Sequence, residues 1–192
     1  MNAEEERQLI EQARQGEVEA FMMLAKEYER QIFELIYHLT ANREDAADLT
    51  QETFLHAFRA IKGFRGNSSF RTWLHRIAVN LSLNFLKKRR SQNSHFEDVD
   101  RLEEEGREKE LETVRKMPSP EDSSLSQEFR TNLEKVIEEL PPAYRATFSL
   151  VVLEEMSHQE AARIMGCSEK TVSWRMHEIR KRLKKKLQPF LA

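Results

Sequence analysis

The chain has 192 residues, with 31 Lys and Arg against 33 Asp and Glu, a net charge of −2, and 33% charged residues. No run of about 18 apolar residues occurs, which excludes a membrane-spanning helix, and the acidic opening Met1-Asn-Ala-Glu-Glu-Glu-Arg lacks the apolar segment of a secretory signal. The single Cys167 excludes an internal disulfide and makes no metal-ligand spacing with the six scattered histidines, so we expect a cytoplasmic protein with neither metal nor cofactor.

Five Gly and five Pro in a chain dominated by Leu, Glu, Arg, Ala and Lys predict a helix-rich fold, in one domain or in two of about 100 residues. Glu4 to Gln15 reads as a short acidic helix stopped at Gly16, a residue that tolerates left-handed φ. Glu19 to Leu39 follows as an amphipathic helix, with Phe21, Leu24, Tyr28, Ile32, Leu35, Ile36 and Leu39 at three- and four-residue steps. Asn42 caps a third helix, Arg43 to Ile61, which stops before Gly63. On it Asp48, Gln51, Glu52 and Leu55 share one face, opposite Ala47, Phe54, Phe58 and Ile61. Acidic groups around an exposed Leu suit a basic helical partner.

The loop Phe64-Arg-Gly-Asn-Ser-Ser leads to Ser69, the cap of a fourth helix, Phe70 to Arg90, whose buried stripe is Phe70, Leu74, Ile77, Leu81 and Phe85. Between Arg59 and Arg90 the chain carries nine Lys or Arg and no Asp or Glu. Trp73, Arg76, Asn80, Asn84 and Lys87 fall at steps of three or four, forming a stripe that continues into Lys88. An aromatic face stacks an unpaired base, Asn bonds a base edge and cations hold phosphates, so this stripe points to a single strand. Trp73 also fits the core, and both readings stand at this point. Phe64, Arg65, Asn67, Ser68 and Ser69 form a short loop suited to holding an extruded base.

From Ser91 to Ser124 no period is sustained, and Glu97 to Asp122 holds eleven acidic and five basic residues, a net of 5 − 11 = −6. A solvated flexible linker is expected, dividing the chain into units at 1–90 and 125–192. Helices resume at Gln127 to Leu140, stop at Pro141-Pro142 and restart from Tyr144 to Glu155. No strand pattern of useful length is present, so the fold class is all-α.

Ser157-His-Gln-Glu160 is a capping box, and Gly166 allows the sharp turn of a helix-turn-helix. Ser168 then caps a second helix reaching Leu187, with Val172, Met176, Ile179 and Leu183 inward. Its first turns expose Lys170, Thr171, Ser173, Trp174 and His177, and Arg175, Arg180 and Lys181 flank them for phosphates. Two cationic helices with an acidic tract between them suggest one nucleic acid held at two places.

Three segments together resemble the bacterial sigma-70 family, in its extracytoplasmic-function (ECF) group and close to the RpoE-like sigma-24 type. They are Arg43-Glu-Asp-Ala-Ala-Asp-Leu-Thr-Gln-Glu-Thr-Phe-Leu-His-Ala-Phe-Arg, then Phe64-Arg-Gly-Asn-Ser-Ser-Phe-Arg-Thr-Trp-Leu-His-Arg-Ile-Ala-Val-Asn, and Leu140-Pro-Pro-Ala-Tyr-Arg with the helix-turn-helix. The resemblance implies sigma region 2 at 1–90, an acidic linker at 91–124 and sigma region 4 at 125–192. It implies docking of Asp48, Gln51, Glu52, Leu55 and Arg59 on the β′ clamp helices of core RNA polymerase, with the β flap as a further contact. It implies capture of the promoter −10 element by the fourth helix and its loop, −35 reading by residues 156–175 and the following turns, and an anti-sigma factor as partner. The chain departs from the family's pattern at Ser173 and Glu178, where relatives carry basic residues, which bears on its −35 sequence. A rival resemblance, of Ser168-Glu-Lys-Thr-Val to LuxR-like regulators, implies a dimer on duplex DNA and leaves the Trp73 to Lys87 stripe unexplained. No Gly-rich phosphate loop and no nucleophile-base pair suggests an enzyme.

Overall fold

In the computed structural model residues 1–92 and 127–188 are described, with backbone alone for 92 and 127–130. The acidic linker expected at 91–124 lies, from residue 93 onward, outside the described residues, which are all helix, turn or loop and contain no strand. Four helices, α1 (Ala3–Gln15), α2 (Val18–Thr40), α3 (Arg43–Ala60) and α4 (Phe70–Gln92), build the first unit, with a 3-10 turn at Ile61–Gly63. The second unit holds α5 (Gln127–Glu138), α6 (Pro142–Phe148), α7 (His158–Met165) and α8 (Glu169–Leu187).

Local chemistry sets the helix ends. Asn2 accepts from the amides of Glu4 and Glu5 while the Glu5 carboxylate takes the Asn2 amide, a capping box that starts α1 ahead of Glu4. Gly16, at φ 103°, closes the helix in the left-handed region. Asn42 accepts from Glu44 and Asp45 to open α3, and Ser69 accepts from Thr72 to open α4.

The inward faces of α3 and α4 differ from the expected stripes. On α3 the fully buried positions are Ala46, Leu49, Thr50, Thr53 and Ala57, while Ala47 is exposed, Phe54 half-buried and Phe58 38% exposed. Small side chains let α3 approach α2 and α4 closely, and the hydroxyls of Thr50 and Thr53 are satisfied by the carbonyls of Ala46 and Leu49. On α4 the buried set is Phe70, Leu74, His75, Ala78, Val79 and Ser82; Ile77, Leu81 and Phe85 are half-buried. This face is broader than one stripe because α4 is covered twice, by α2 and α3 on one side and by α7 on another.

The two units therefore meet. One core runs through both, joining Leu24, Ile36, Leu74 and Val79 with Leu150, Ala161, Ile164 and Val172. A second core, with Val136, Tyr144, Met176 and Leu183, is internal to the second unit. Arg145 of α6 spans the seam: it donates to the carbonyls of Leu39 at 2.9 Å and Leu140 at 3.2 Å, and to that of Glu138. Leu39 lies in the last turn of α2, where carbonyls lack helical partners, so the guanidinium satisfies an orphan acceptor at the negative end of the dipole.

The helix expected from Tyr144 to Glu155 is interrupted. From Ser149 to Leu153 it widens into a π turn, closed by the Glu154 amide on the Ser149 carbonyl at 2.9 Å, and Glu155 takes φ 53°. Beyond it the helix-turn-helix forms as the pattern requires, with the Ser157–Glu160 capping box and the Ser168 cap. Val172, Met176, Ile179 and Leu183 all point inward.

Gly166 sits at φ 64° with nothing within 4 Å of where a Cβ would stand. Replacing it should cost only backbone strain. Gly166→Ala should lower stability by about 1–2 kcal/mol, and Gly166→Asn by less, in urea unfolding followed by circular dichroism.

Candidate nucleic-acid interface

The outer face of α3 carries Asp48, Gln51, Glu52, Leu55 and Arg59 together, all exposed, with Leu55 at 49%. Beside it lies an open groove of about 470 Å3 between α2 and α3, walled by Met22, Phe54, Leu55 and Phe58. Met22, 64% exposed, was missed from the sequence because it lies off the inward stripe of α2 and reads as an isolated surface apolar residue. The groove becomes visible only when α2 and α3 are laid side by side.

Along α4, Arg76, Asn80, Asn84, Lys87 and Lys88 are exposed and form one continuous face. Trp73 is half-buried. Its ring centroid lies 5.1 Å from Phe64 and 5.5 Å from Phe70, so the indole is wedged upright at the head of the polar stripe. Phe64 itself is 8% exposed, which takes it out of the loop's contact surface and makes it the peg that holds the loop down. In that loop Arg65, Asn67 and Ser69 are exposed and Ser68 is half-buried. The Ser69 hydroxyl is engaged as the α4 cap and with the Thr72 hydroxyl at 2.8 Å. Arg89 pairs with Asp45 at 2.6 Å, bracing the basic end of α4 against the start of α3.

On α8, Lys170, His177 and Lys181 are exposed; Thr171, Ser173, Trp174 and Arg180 are half-buried. Arg175 is 7% exposed, with Nη1 3.9 Å from the Met165 sulfur. The guanidinium is thus turned toward Met165 at the end of α7. Trp174 packs edge-on against Tyr144 at 5.9 Å, over which Arg182 also lies at 5.3 Å. Ser173 bonds His158 of α7 at 2.9 Å and so ties the two helices of the motif together. Lys184, Lys185 and Lys186 extend the exposed cationic face.

Among the described residues no group of three or more His, Cys, Asp or Glu is placed to hold a metal ion. No described helix is long and apolar enough to cross a membrane.

Comparison with known proteins places the chain in a family. Residues 24–92 match the model of Sigma-70 region 2, and residues 130–183 that of Sigma-70, region 4. The RNA polymerase sigma-H factor of Pseudomonas aeruginosa is 34% identical over 195 aligned residues, covering 100% of this chain and 98% of that protein. The ECF RNA polymerase sigma-E factor of Escherichia coli K12 is 36% identical over 185 residues, covering 95% and 94%. Among solved structures, CnrH in complex with the cytosolic domain of CnrY superposes with a TM-score of 0.67 at 23% identity, covering 96% of this chain and 98% of that one. The sigma factor RpoE of Bartonella quintana, solved with the anti-sigma factor NepR, gives 0.62 at 23% identity over 89% and 98%. With region 2 and region 4 both matched and relatives aligned across nearly their whole length, the chain belongs to the sigma-70 family of RNA polymerase sigma factors, in its extracytoplasmic-function group.

Proposed function

We propose that this alternative sigma factor works by carrying two separate DNA surfaces onto core RNA polymerase, one to open the −10 element and one to read the −35 element. The chemistry of RNA synthesis stays with the polymerase, and the chain supplies no catalytic residue. Residues 1–90 act as the docking and melting unit, 91–124 as the connection and 125–192 as the −35 reader. The observation that carries this reading is the α4 face, where a wedged Trp73 stands at the head of an Arg76–Asn80–Asn84–Lys87 row with no carboxylate between Arg59 and Arg90.

Docking is assigned to Asp48, Gln51, Glu52, Leu55 and Arg59 and to the neighbouring α2–α3 groove; its apolar walls, beside the carboxylates of Asp48 and Glu52, suit the basic clamp helices of the β′ subunit. At −10, Trp73 stacks a flipped base, Asn80 and Asn84 bond base edges, and Arg76, Lys87 and Lys88 hold the strand. Arg65, Asn67, Ser68 and Ser69 cradle the extruded nucleotide, with Phe64 beneath them as support. At −35, Lys170, Thr171 and His177 enter the major groove, and Arg180 and Lys181 meet phosphates. Ser173 and Trp174 shape that helix from its sides, and Arg175 acts inside the motif. The β flap is the expected seat of the second unit on polymerase. An anti-sigma factor would compete for these same faces, a reading supported by the complexes of CnrH and of the Bartonella RpoE. The setting is the cytoplasm, where polymerase and promoter are.

Co-purification with core RNA polymerase and run-off transcription on a promoter library test the whole reading. Charge reversal in Asp48→Lys with Glu52→Lys sets like charges against the basic partner, a cost of several kcal/mol, so binding to core should fall about a hundredfold with helix content unchanged. Equal competition for core in a pull-down would place the dock elsewhere.

Asn80→Ala should leave the closed complex intact and impair opening by roughly ten- to a hundredfold, the worth of one lost base contact in a single-strand site. Permanganate reactivity of −10 thymines reports this, and normal reactivity would remove α4 from melting.

His177→Ala should change which −35 bases are preferred, at about 1–3 kcal/mol per base contact, whereas Lys181→Ala should weaken all promoters alike and reduce the salt slope by about one unit. A library read with each variant separates the two, and the reverse pattern would mean that α8 lies rotated in the groove.

A further inference from the structure

The two helices of the turn motif meet through buried apolar side chains, Ala161, Ala162 and Ile164 on α7 and Val172 on α8, which lie in one core. Apolar burial is non-directional, and two alanines offer little relief for the ridges of α8 to lock into. It brings the helices together while fixing only weakly how α8 is turned about its own axis. Hydrogen bonds supply direction. At the turn, Arg175 Nη1 stands 3.9 Å from the Met165 sulfur, a long contact beside Gly166, which already joins the helices. At the opposite end of α7 the bond is short: Nδ1 of His158, the first residue of the helix, lies 2.9 Å from the Ser173 hydroxyl.

Position gives this bond its leverage. Helix α7 has 8 residues, so a bond at its first residue acts about 10 Å from the turn and holds α8 at a second point. On α8, Ser173 comes three residues after Lys170 and four before His177, so the three share a face. Lys170 and His177 are exposed, whereas Ser173 and His158 are half-buried, the hydroxyl being engaged by the imidazole whichever of the two donates. A helix with its side chains has a radius of about 5–6 Å. A rotation of roughly 20° therefore carries their tips about 2 Å, enough to break a hydrogen bond to a base edge.

We propose that His158 is a positioning residue for −35 reading: through Ser173 it sets the rotation of α8, and with it the base edges that Lys170 and His177 meet. The inference rests on the reading of α8 as the −35 helix and adds to it a residue from outside that helix. His158 touches no base itself. Its effect falls on discrimination between promoters and not on the hold on phosphates, because Lys181 reaches the strand on a long flexible stem that follows a small rotation. Ser173 likewise acts on sequence preference by holding its neighbours in place, with its own hydroxyl occupied.

The test uses the full chain in two settings. In the free protein, nitrogen-15 NMR of the His158 ring reports the bond directly. The Nδ1 resonance should move in Ser173→Ala and stay near its parent position in Ser173→Thr, which keeps a hydroxyl. In holoenzyme with core RNA polymerase, a promoter library randomised at −35 reads discrimination. His158→Ala and Ser173→Ala should each reduce the preference for the favoured −35 sequence about two- to tenfold, the worth of one net hydrogen bond. The double variant should lose no more than either single one. His158→Asn, whose amide takes the place of Nδ1, should recover most of the loss. The salt slope should keep the parent's value in every variant, and circular dichroism confirms that each is folded.

An Nδ1 resonance unmoved in Ser173→Ala would overturn the pair. Losses that add in the double variant, or an effect of Ser173→Ala with none of His158→Ala, would make Ser173 a base reader and end the positioning role. A salt slope lower by about one unit in His158→Ala would make His158 a phosphate contact instead. If the parent itself shows no −35 preference, α8 is not the reader and the role falls with that reading. The NMR result, which needs no DNA, tells that failure apart from a failure of the bond.

Discussion

Helix α4 has to satisfy three demands on one 23-residue rod: bury a face against α2 and α3, receive α7 on a second, and leave a third open with its cations unopposed. Like charges along an exposed helix repel, and a row without carboxylates gains nothing from i,i+4 pairing. What holds it is burial of Leu74, Ala78, Val79 and Ser82, together with the Arg89–Asp45 bridge that neutralises one cation at its far end. Small residues at 78 and 82 keep neighbours close on the inward sides, leaving the outer side narrow and polar. The polar chemistry of that open face is therefore inseparable from the packing of the helix that carries it.

The features legible in the sequence were those governed by nearest neighbours along the chain. Asn42, Ser157, Ser168, Gly16 and Gly166 act within four residues of themselves, and their caps and turns form as their spacing indicates. The inward stripe of α8 was equally readable, because large apolar residues fill it: Val172, Met176, Ile179 and Leu183 are all buried. The faces of α3 and α4 were misjudged because aromatic and large aliphatic residues were assigned to the core by size. The tightest seams there are lined by Ala, Thr and Ser, and the aromatics stand at their edges. Close approach selects against bulk, and no periodicity of large residues announces it.

The seating of the second unit on α4 joins residues some 80 positions apart, as where the Glu154 carboxylate accepts from Arg71 at 2.7 Å. Nothing local distinguishes Glu154 from Glu155 beside it; one is buried in a ring of donors and the other is exposed with a positive φ. Arg175 was placed on the wrong side for a related reason, since a cation in a basic run reads as solvated until the neighbouring helix is in position. The rings of Phe64 and Phe70 hold one part of the Trp73 indole, and the polar stripe of α4 begins beside it.

The π turn at Ser149–Leu153 has a consequence for how such a chain can change over time. A wide turn holds one more residue than the α-helical path it replaces, and each residue of an α-helix advances the direction of side chains by about 100°. Losing one position from this segment would let an ordinary helix re-form with the residues beyond it keeping their direction, because the wide turn is where the extra residue is absorbed. The turn is therefore a place where the chain can shorten by one residue and still present Glu154 to Arg71 on α4.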